Sequence, residues 1–392
     1  MTRCWQFIAG VILYLIAVPA SAQDQLSLLY LGRESDPAYA ARRAYTGLSL
    51  RDLKRPINGA RLAVRESRIL ARAIGIRFQL EERLLPPDAD LAMTIRDETA
   101  NGGRVILADL GRADLKQLIA ETKNRDDVIV FNFRHRDNAL RGVECAPHLF
   151  HTVPSRAMLS DALAQFLAVK GWRRILSLVG EQKDDARMAS SFATSAQKFG
   201  LKIVDSKPFV LSNDPRQREK NNLVLLSADT SYDVVFLADT VGEIGRYATY
   251  GIASPRPVVG SQGLSPRAWH WTLERYGAPQ LNQRFLKHAK RRIAAEDWAA
   301  WAAVRSVVQA ARQTNSTSVS ALRAALLNDT FILDLYKGFP GSYRPWSHQL
   351  RQPILLTTHN AVIGLAPFKG FEHRYNAMDT LGRDAQETDC AD

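Results

Sequence analysis

Short apolar runs rich in β-branched residues alternate with longer stretches of helical periodicity along most of the chain. Residues 26–31 predict a first strand. Over 57–73 the apolar positions Ala60, Ala63, Val64, Ile69, Leu70 and Ala73 recur near helical spacing, and Gly75 follows as a stop. Strands are predicted at 76–82, 104–108 and 128–133, with a helix over 114–123. After Cys145-Ala146-Pro147 the rhythm restarts: helix 158–170, strand 175–179, helix 186–199, strand 202–210, helical residues 221–226 and strand 234–238. This alternation predicts two α/β blocks in tandem, each built on a largely parallel sheet. The run 258–260 with the long helices through 327 has no full sheet of its own and is expected to complete one block. Strands at 353–357 and 361–365 are expected to complete the other. There is no repeat at solenoid spacing and no low-complexity linker.

The first residues follow a different pattern. Arg3 precedes an apolar stretch from Phe7 to Val18, and Pro19-Ala20-Ser21-Ala22 leads into the polar Gln23-Asp24. A positive start, a short apolar run and a small-x-small site make a secretory signal. The run is shorter than the roughly 20 residues that span a bilayer. Cleavage after Ala22 and export to the periplasm are expected, with no cysteine at the cleavage point to carry a lipid anchor. Cys4 leaves with this segment, so Cys145 and Cys390 remain. In an oxidising compartment they either form one intramolecular bridge or persist as two thiols. The bridge is the expectation, because an exposed tail thiol is a liability there.

The net charge is +12, which favours anionic partners in general. Its basic residues are scattered, apart from 287–292, and export argues against a nucleic-acid role. The sequence has no nucleophile elbow, no phosphate-cradling loop, no His-Glu-x-x-His and no Gly-x-Gly-x-x-Gly after a strand, so no enzyme and no metal site are predicted. His148 and His151 stand in an extended stretch and read as structural. What remains are polar groups at predicted strand ends, where open α/β sheets bind ligands. These are Arg33, Asp109, Arg134 and Arg136 in the first block, and Lys183 and Asp239 in the second. Trp269 and Trp271, after Gly260-Ser261-Gln262-Gly263, are candidate aromatic faces for a planar ligand, whereas Trp301 reads as core.

The exported chain with Asn58-Gly59-Ala60-Arg61-Leu62-Ala63-Val64 on its first helix, the tandem blocks and the return segments resemble the type I periplasmic solute-binding proteins of the branched-chain amino acid receptor class. A closer likeness is to the substrate-binding subgroup encoded beside quinoprotein alcohol dehydrogenases. It rests on Tyr30-Leu31-Gly32-Arg33, Arg141-Gly142-Val143-Glu144-Cys145, Asp297-Trp298-Ala299-Ala300-Trp301, Arg344-Pro345-Trp346, Gln349-Leu350-Arg351-Gln352-Pro353 and Asp379-Thr380-Leu381-Gly382.

The resemblance implies a two-lobed α/β fold with three hinge crossings. Residues 23–150 and 262–333 would form lobe 1, 151–261 and 334–380 lobe 2, and 381–392 a tail held by the Cys145–Cys390 bridge. It also implies a monomeric receptor that closes on a small ligand and meets an inner-membrane ABC permease, without a resident cofactor. Receptors of the amino acid class hold the ligand carboxylate with hydroxyls after an early strand. Here that region reads Ala108-Asp109-Leu110-Gly111-Arg112, which argues against a leucine-type ligand. Pyrroloquinoline quinone (PQQ), planar and tricarboxylic, or an aromatic acid from alcohol oxidation suits the arginines and tryptophans better. A ligand sensor for a membrane signalling protein and an amino acid receptor are the alternatives.

Overall fold

The computed structural model describes residues 24–44, 47–51, 53–100, 103–210 and 214–390. The export signal and its cleavage site lie outside the described residues.

The first lobe is built on a five-stranded sheet. Its strands are β1 (Asp24–Arg33), β2 (Ile76–Leu85), β3 (Arg104–Asp109), β4 (Val128–Asn132) and β5 (Leu149–His151), in the order β2-β1-β3-β4-β5 and parallel throughout. β3 and β4 are buried along nearly their whole length, as strands covered on both faces must be. Helices α1 (Ile57–Glu66) and α2 (Arg68–Ala73) follow β1, α3 (Leu91–Thr99) follows β2, and α4 (Arg112–Glu121) follows β3. The periodicity predicts one helix over 57–73, and the structure interrupts it at Ser67, whose hydroxyl donates to the Ala63 carbonyl at 2.8 Å. Helix α3 is not announced by an apolar stripe. Asp90 starts it by accepting from the Ala92 and Met93 amides at 2.8 and 3.1 Å.

The second lobe carries a parallel sheet of β6 (Arg174–Val179), β7 (Lys202–Pro208), β8 (Val234–Ala238) and β9 (Val258–Gly260), in the order β9-β8-β6-β7. Its helices are α5 (Arg156–Val169), α6 (Lys183–Lys198), α7 (Leu223–Ala228) and α8 (Gly245–Gly251). Phe192 of α6 stacks on Phe236 of β8, ring centroids 3.9 Å apart, at the centre of this core.

Strand β10 (Ser265–Arg267) returns the chain to the first lobe, where α9 (Ala278–Ala289), α10 (Ala295–Thr314) and α11 (Val319–Leu326) join the first core. Helix α10 is buried along most of its length and rich in alanine, which lets α1 approach closely. Gly59 is the point of nearest approach: a Cβ there would stand 1.9 Å from the Asp297 carbonyl oxygen. The last return, β11 (Ile354–Thr357) and β12 (Val362–Ala366), pairs antiparallel with β10 in a small sheet packed on α5.

The chain therefore crosses between the lobes three times, and buried polar side chains tie the crossings together. The Gln352 amide donates to the Thr152 carbonyl at 2.8 Å, and Arg141 donates to Val153 O and Gln349 Oε1, both at 2.9 Å. Lys337, fully buried, donates to Gln352 Oε1 at 2.9 Å above the Trp298 ring. Cys145 and Cys390 form a disulfide with Cα atoms 5.6 Å apart, fastening the tail beside Arg141, whose carbonyl accepts from the Thr388 hydroxyl. Among the described residues no helix is long and apolar enough to cross a membrane.

Candidate ligand cleft

In parallel sheets flanked by helices, the C-terminal strand ends face the crevice in which ligands bind. In the first lobe these ends are wired by charge. Asp109, at the end of the central strand β3, has no solvent exposure. Its carboxylate accepts from Tyr30 Oη at 2.8 Å, from Arg55 Nη1 at 2.9 Å, from Tyr39 Oη, and from Arg134 Nη1 at 3.4 Å. Arg134 forks onto Asp36 at 2.5 and 2.9 Å. Burial raises the Asp36 carboxyl, and the hydrogen bonds of Arg134 and the Ala38 amide with the field of both arginines outweigh it, so its pKa is lowered. Both phenols are pushed up, first by burial and then by the Asp109 charge, and stay protonated donors. The Arg55 guanidinium lies 4.6 Å from the Tyr39 ring centroid and that of Arg134 5.4 Å. Asn132, the end of β4, turns the next loop by accepting from the Arg134 and His135 amides at 3.1 and 2.8 Å.

Strand ends in the second lobe are organised by backbone. Asp239, after β8, accepts from the Gly242 and Gly245 amides, both at 2.8 Å. Asp185, in the first turn of α6, accepts from Thr240 N at 2.6 Å and Gln182 N at 3.1 Å. Among the described residues neither carboxylate meets a cation. Burial raises the Asp239 pKa against the pull of those amides, with the Asp185 charge adding to it. Lys183 starts α6 with an exposed side chain.

Between the two rims lie the groups of the crossings. Arg156, first residue of α5, links the lobes by donating to Asp137 at 2.7 Å and Asp184 at 2.8 Å. Arg136 donates to Glu296, at the start of α10, at 2.8 Å, while its buried Nε has no acceptor among the described residues. Arg267, on β10, is open to solvent and makes no hydrogen bond or ion pair among the described residues. Protein nevertheless crowds it enough that lost hydration lowers its pKa, against the attraction of Glu296 and with the repulsion of Arg136. Arg267 thus stands exposed on β10, within the electrostatic reach of Glu296 and Arg136. His270 nearby is lowered to about 4 by burial and by Arg267, His359 and Arg292, and is neutral at pH 7.

The structure thus distributes the sequence-predicted residues unevenly. Arg134 and Asp109 come together at the first-lobe rim, where they satisfy each other's network, whereas Arg136 is turned to Glu296. Arg33 turns toward α4, bonding Asp114 at 2.9 Å and the Ala89 carbonyl at 2.9 Å. Asp239 serves as a loop cap. Trp269 is not an open platform: it is 1% exposed, stacked at 5.9 Å on Trp298, and its indole N–H donates to Asn282, because the core of the first lobe extends to this segment. Trp271 is half-buried, and its ring is covered by the Arg292 guanidinium 3.5 Å from the centroid. Trp301 is core, donating to Glu66 at 2.9 Å. His148 and His151 are buried, bonded to Thr122, Asn132 and the Leu140 carbonyl. Arg267, Arg55, Tyr39, Asp36, Glu296 and Arg156 escape the sequence reading. No local motif marks Arg267, and its only signal is its place four residues after Gly263. A cavity of about 450 Å³ lies away from the strand ends, between the 342–351 loop and the tail, lined by Trp346, Tyr375 and Arg351 among others.

No protein-family model and no curated protein matches the sequence. Solved structures do share its fold. A branched-chain amino acid ABC transporter periplasmic ligand-binding protein from Burkholderia xenovorans superposes with a TM-score of 0.71 at 13% identity, over 94% of this chain and 99% of the other. An amino acid ABC transporter substrate-binding protein from Pseudomonas fluorescens gives 0.68 at 12% identity, covering 94% and 100%. A solute-binding protein from R. palustris, in complex with benzoate, gives 0.60 at 13% identity, covering 87% and 96%. At such identities the likeness is one of fold: the two-lobed periplasmic-binding-protein architecture.

Proposed function

We propose that the protein is a periplasmic solute receptor of an ABC transport system, capturing a small anionic ligand between its lobes by hinge closure. The observation that carries this reading is Arg267, an exposed guanidinium without a hydrogen-bond or ion-pair partner among the described residues, within the electrostatic reach of Arg136, whose Nε is unsatisfied. A guanidinium binds carboxylates through charge-assisted, bidentate hydrogen bonds. Asp36, Asp109, Asp137 and Glu296 are each paired with an arginine, and Asp185 and Asp239, which meet no cation among the described residues, are almost wholly buried, so none of the six offers a ligand ammonium an exposed, uncompensated charge. That balance favours an acid without an amine, and the aromatic side chains His270 and Trp271, the latter covered on one face by Arg292, follow Arg267 closely in the chain. PQQ or a related product of alcohol oxidation is such an acid. Closure would present the loaded form to a membrane permease, and no covalent chemistry is required.

The structural neighbours named for amino acids favour a second reading, an amino acid receptor. Titration of the mature protein with PQQ, benzoate and leucine, followed by tryptophan fluorescence and thermal melting, separates them, since a ligand bound only by the folded state raises Tm. Saturable response to an aromatic acid, reduced at least about tenfold in affinity by Arg267→Met, is the expected outcome. A response to leucine alone would overturn the anionic-ligand reading.

A further inference from the structure

The first-lobe network has the form of a carboxylate receptor. Four donors from four separate segments converge on one carboxylate: Tyr30 from β1, Tyr39 from the turn after it, Arg55 from the loop before α1, and Arg134 from the loop after β4. It lies at the end of the central strand, where an open α/β sheet receives its ligand. Gly32 leaves the room these donors need, since a Cβ there would sit 3.1 Å from Arg55 Nη1. The occupant is Asp109, a carboxylate supplied by the chain itself and wholly shielded from water.

We propose that Asp109 is a built-in occupant of the carboxylate position of the first lobe, and thereby a specificity-determining residue that denies this position to external carboxylates. A tethered carboxylate is present at high effective concentration, and a free one must displace it from four donors at once. A small α-amino acid, which needs its carboxylate held while its ammonium is paired, is therefore refused on the first-lobe side. A larger acid can still bind through the exposed Arg267. This inference places Asp109 in the cleft of the proposed receptor, but it rests on the geometry of the network and is independent of which ligand that receptor takes.

The test vacates the position. Asp109→Ala deletes the carboxylate and leaves a hole of formate's size between two guanidiniums and two phenols. In chloride the variant is expected to melt below the wild type. In formate at equal ionic strength its Tm should rise by about 3 °C for each tenfold increase above Kd. The wild type should show no such rise. Asp109→Asn, which keeps the position filled, should be as indifferent as the wild type. A folded Asp109→Ala that ignores formate and acetate overturns the proposal, as does a wild type that responds equally. Where the alanine variant is unfolded in chloride, recovery of the fold by formate supports the proposal. Where it stays unfolded in both salts, Asp109→Ser is read in the same way and its indifference overturns it. These readouts involve neither PQQ nor leucine, so their failure is separable from failure of the receptor reading.

Discussion

The two rims of the cleft solve the same problem by different means. Each lobe must end its parallel strands in loops that hold their shape beside water. In the first lobe, Asp109 and Asp36 meet Arg134, Arg55 and two phenols, so side chains from distant segments lock the loops. In the second lobe, Asp239 and Asp185 accept only backbone amides of their own and neighbouring loops. Charge neutralised by charge makes a surface that is already satisfied. Charge held by amides leaves the side chains around it, Lys183 among them, directed at solvent. The first rim therefore resembles a closed wall and the second an open edge, and the unpaired Arg267 stands between them.

This contrast breaks most visibly at Arg134. Arg134→Met leaves Asp36 and Asp109 without the cation they share, and removing one partner of a buried pair should cost about 3 kcal/mol, read by urea denaturation. The matching change in the second lobe, Asp239→Ala, frees two loop amides but strands no buried charge, and should cost about 1.5 kcal/mol.

The pH response sharpens the comparison because its sign differs between rims. The lowered pKa of Asp36 means that its contribution is present above the unfolded carboxylate range near about pH 4 and is lost as pH falls through the folded value. Asp239 has a raised pKa, so its contribution is complete below the unfolded value and is lost as pH rises through the folded one. Melting curves on acidification should accordingly show the deficit of Asp36→Asn relative to wild type shrinking, and that of Asp239→Asn growing. Parallel behaviour of the two variants would mean that the rims are electrostatically alike. The smallest effect belongs to Arg267: Arg267→Met should change stability by less than about 0.5 kcal/mol, since the guanidinium has no hydrogen-bond or ion-pair partner to lose among the described residues, while lowering ligand affinity at least about tenfold.

Element by element, the chain announces most of its architecture. The fully apolar runs in β3, β4 and β8 could only be buried parallel strands, and the alternation with helices placed them in two sheets. Helix α3 and strand β10 were harder to see. The first is set by the Asp90 cap more than by an apolar stripe, and the second contains Pro266 and exists because β11 pairs with it. The site was less legible. Arg134, Arg136 and Asp109 could be placed at strand ends because strand ends are predictable, but their partners could not, since Asp36 lies 98 positions from Arg134 and Glu296 lies 160 from Arg136.

What the sequence determined by itself was local: hydrophobic period, strand ends, and the availability of two cysteines for one bridge. Those properties depend on neighbours a few residues apart. What only the tertiary structure decided was which charges are spent and which remain. Trp269 passed from candidate platform to core, the Asp109 carboxylate is held by four donors of its own lobe, and Arg267, unremarked in the sequence, is exposed without a hydrogen-bond or ion-pair partner among the described residues. Desolvation and ion pairing act through space over a few ångströms, and no spacing along the chain encodes who stands at that distance.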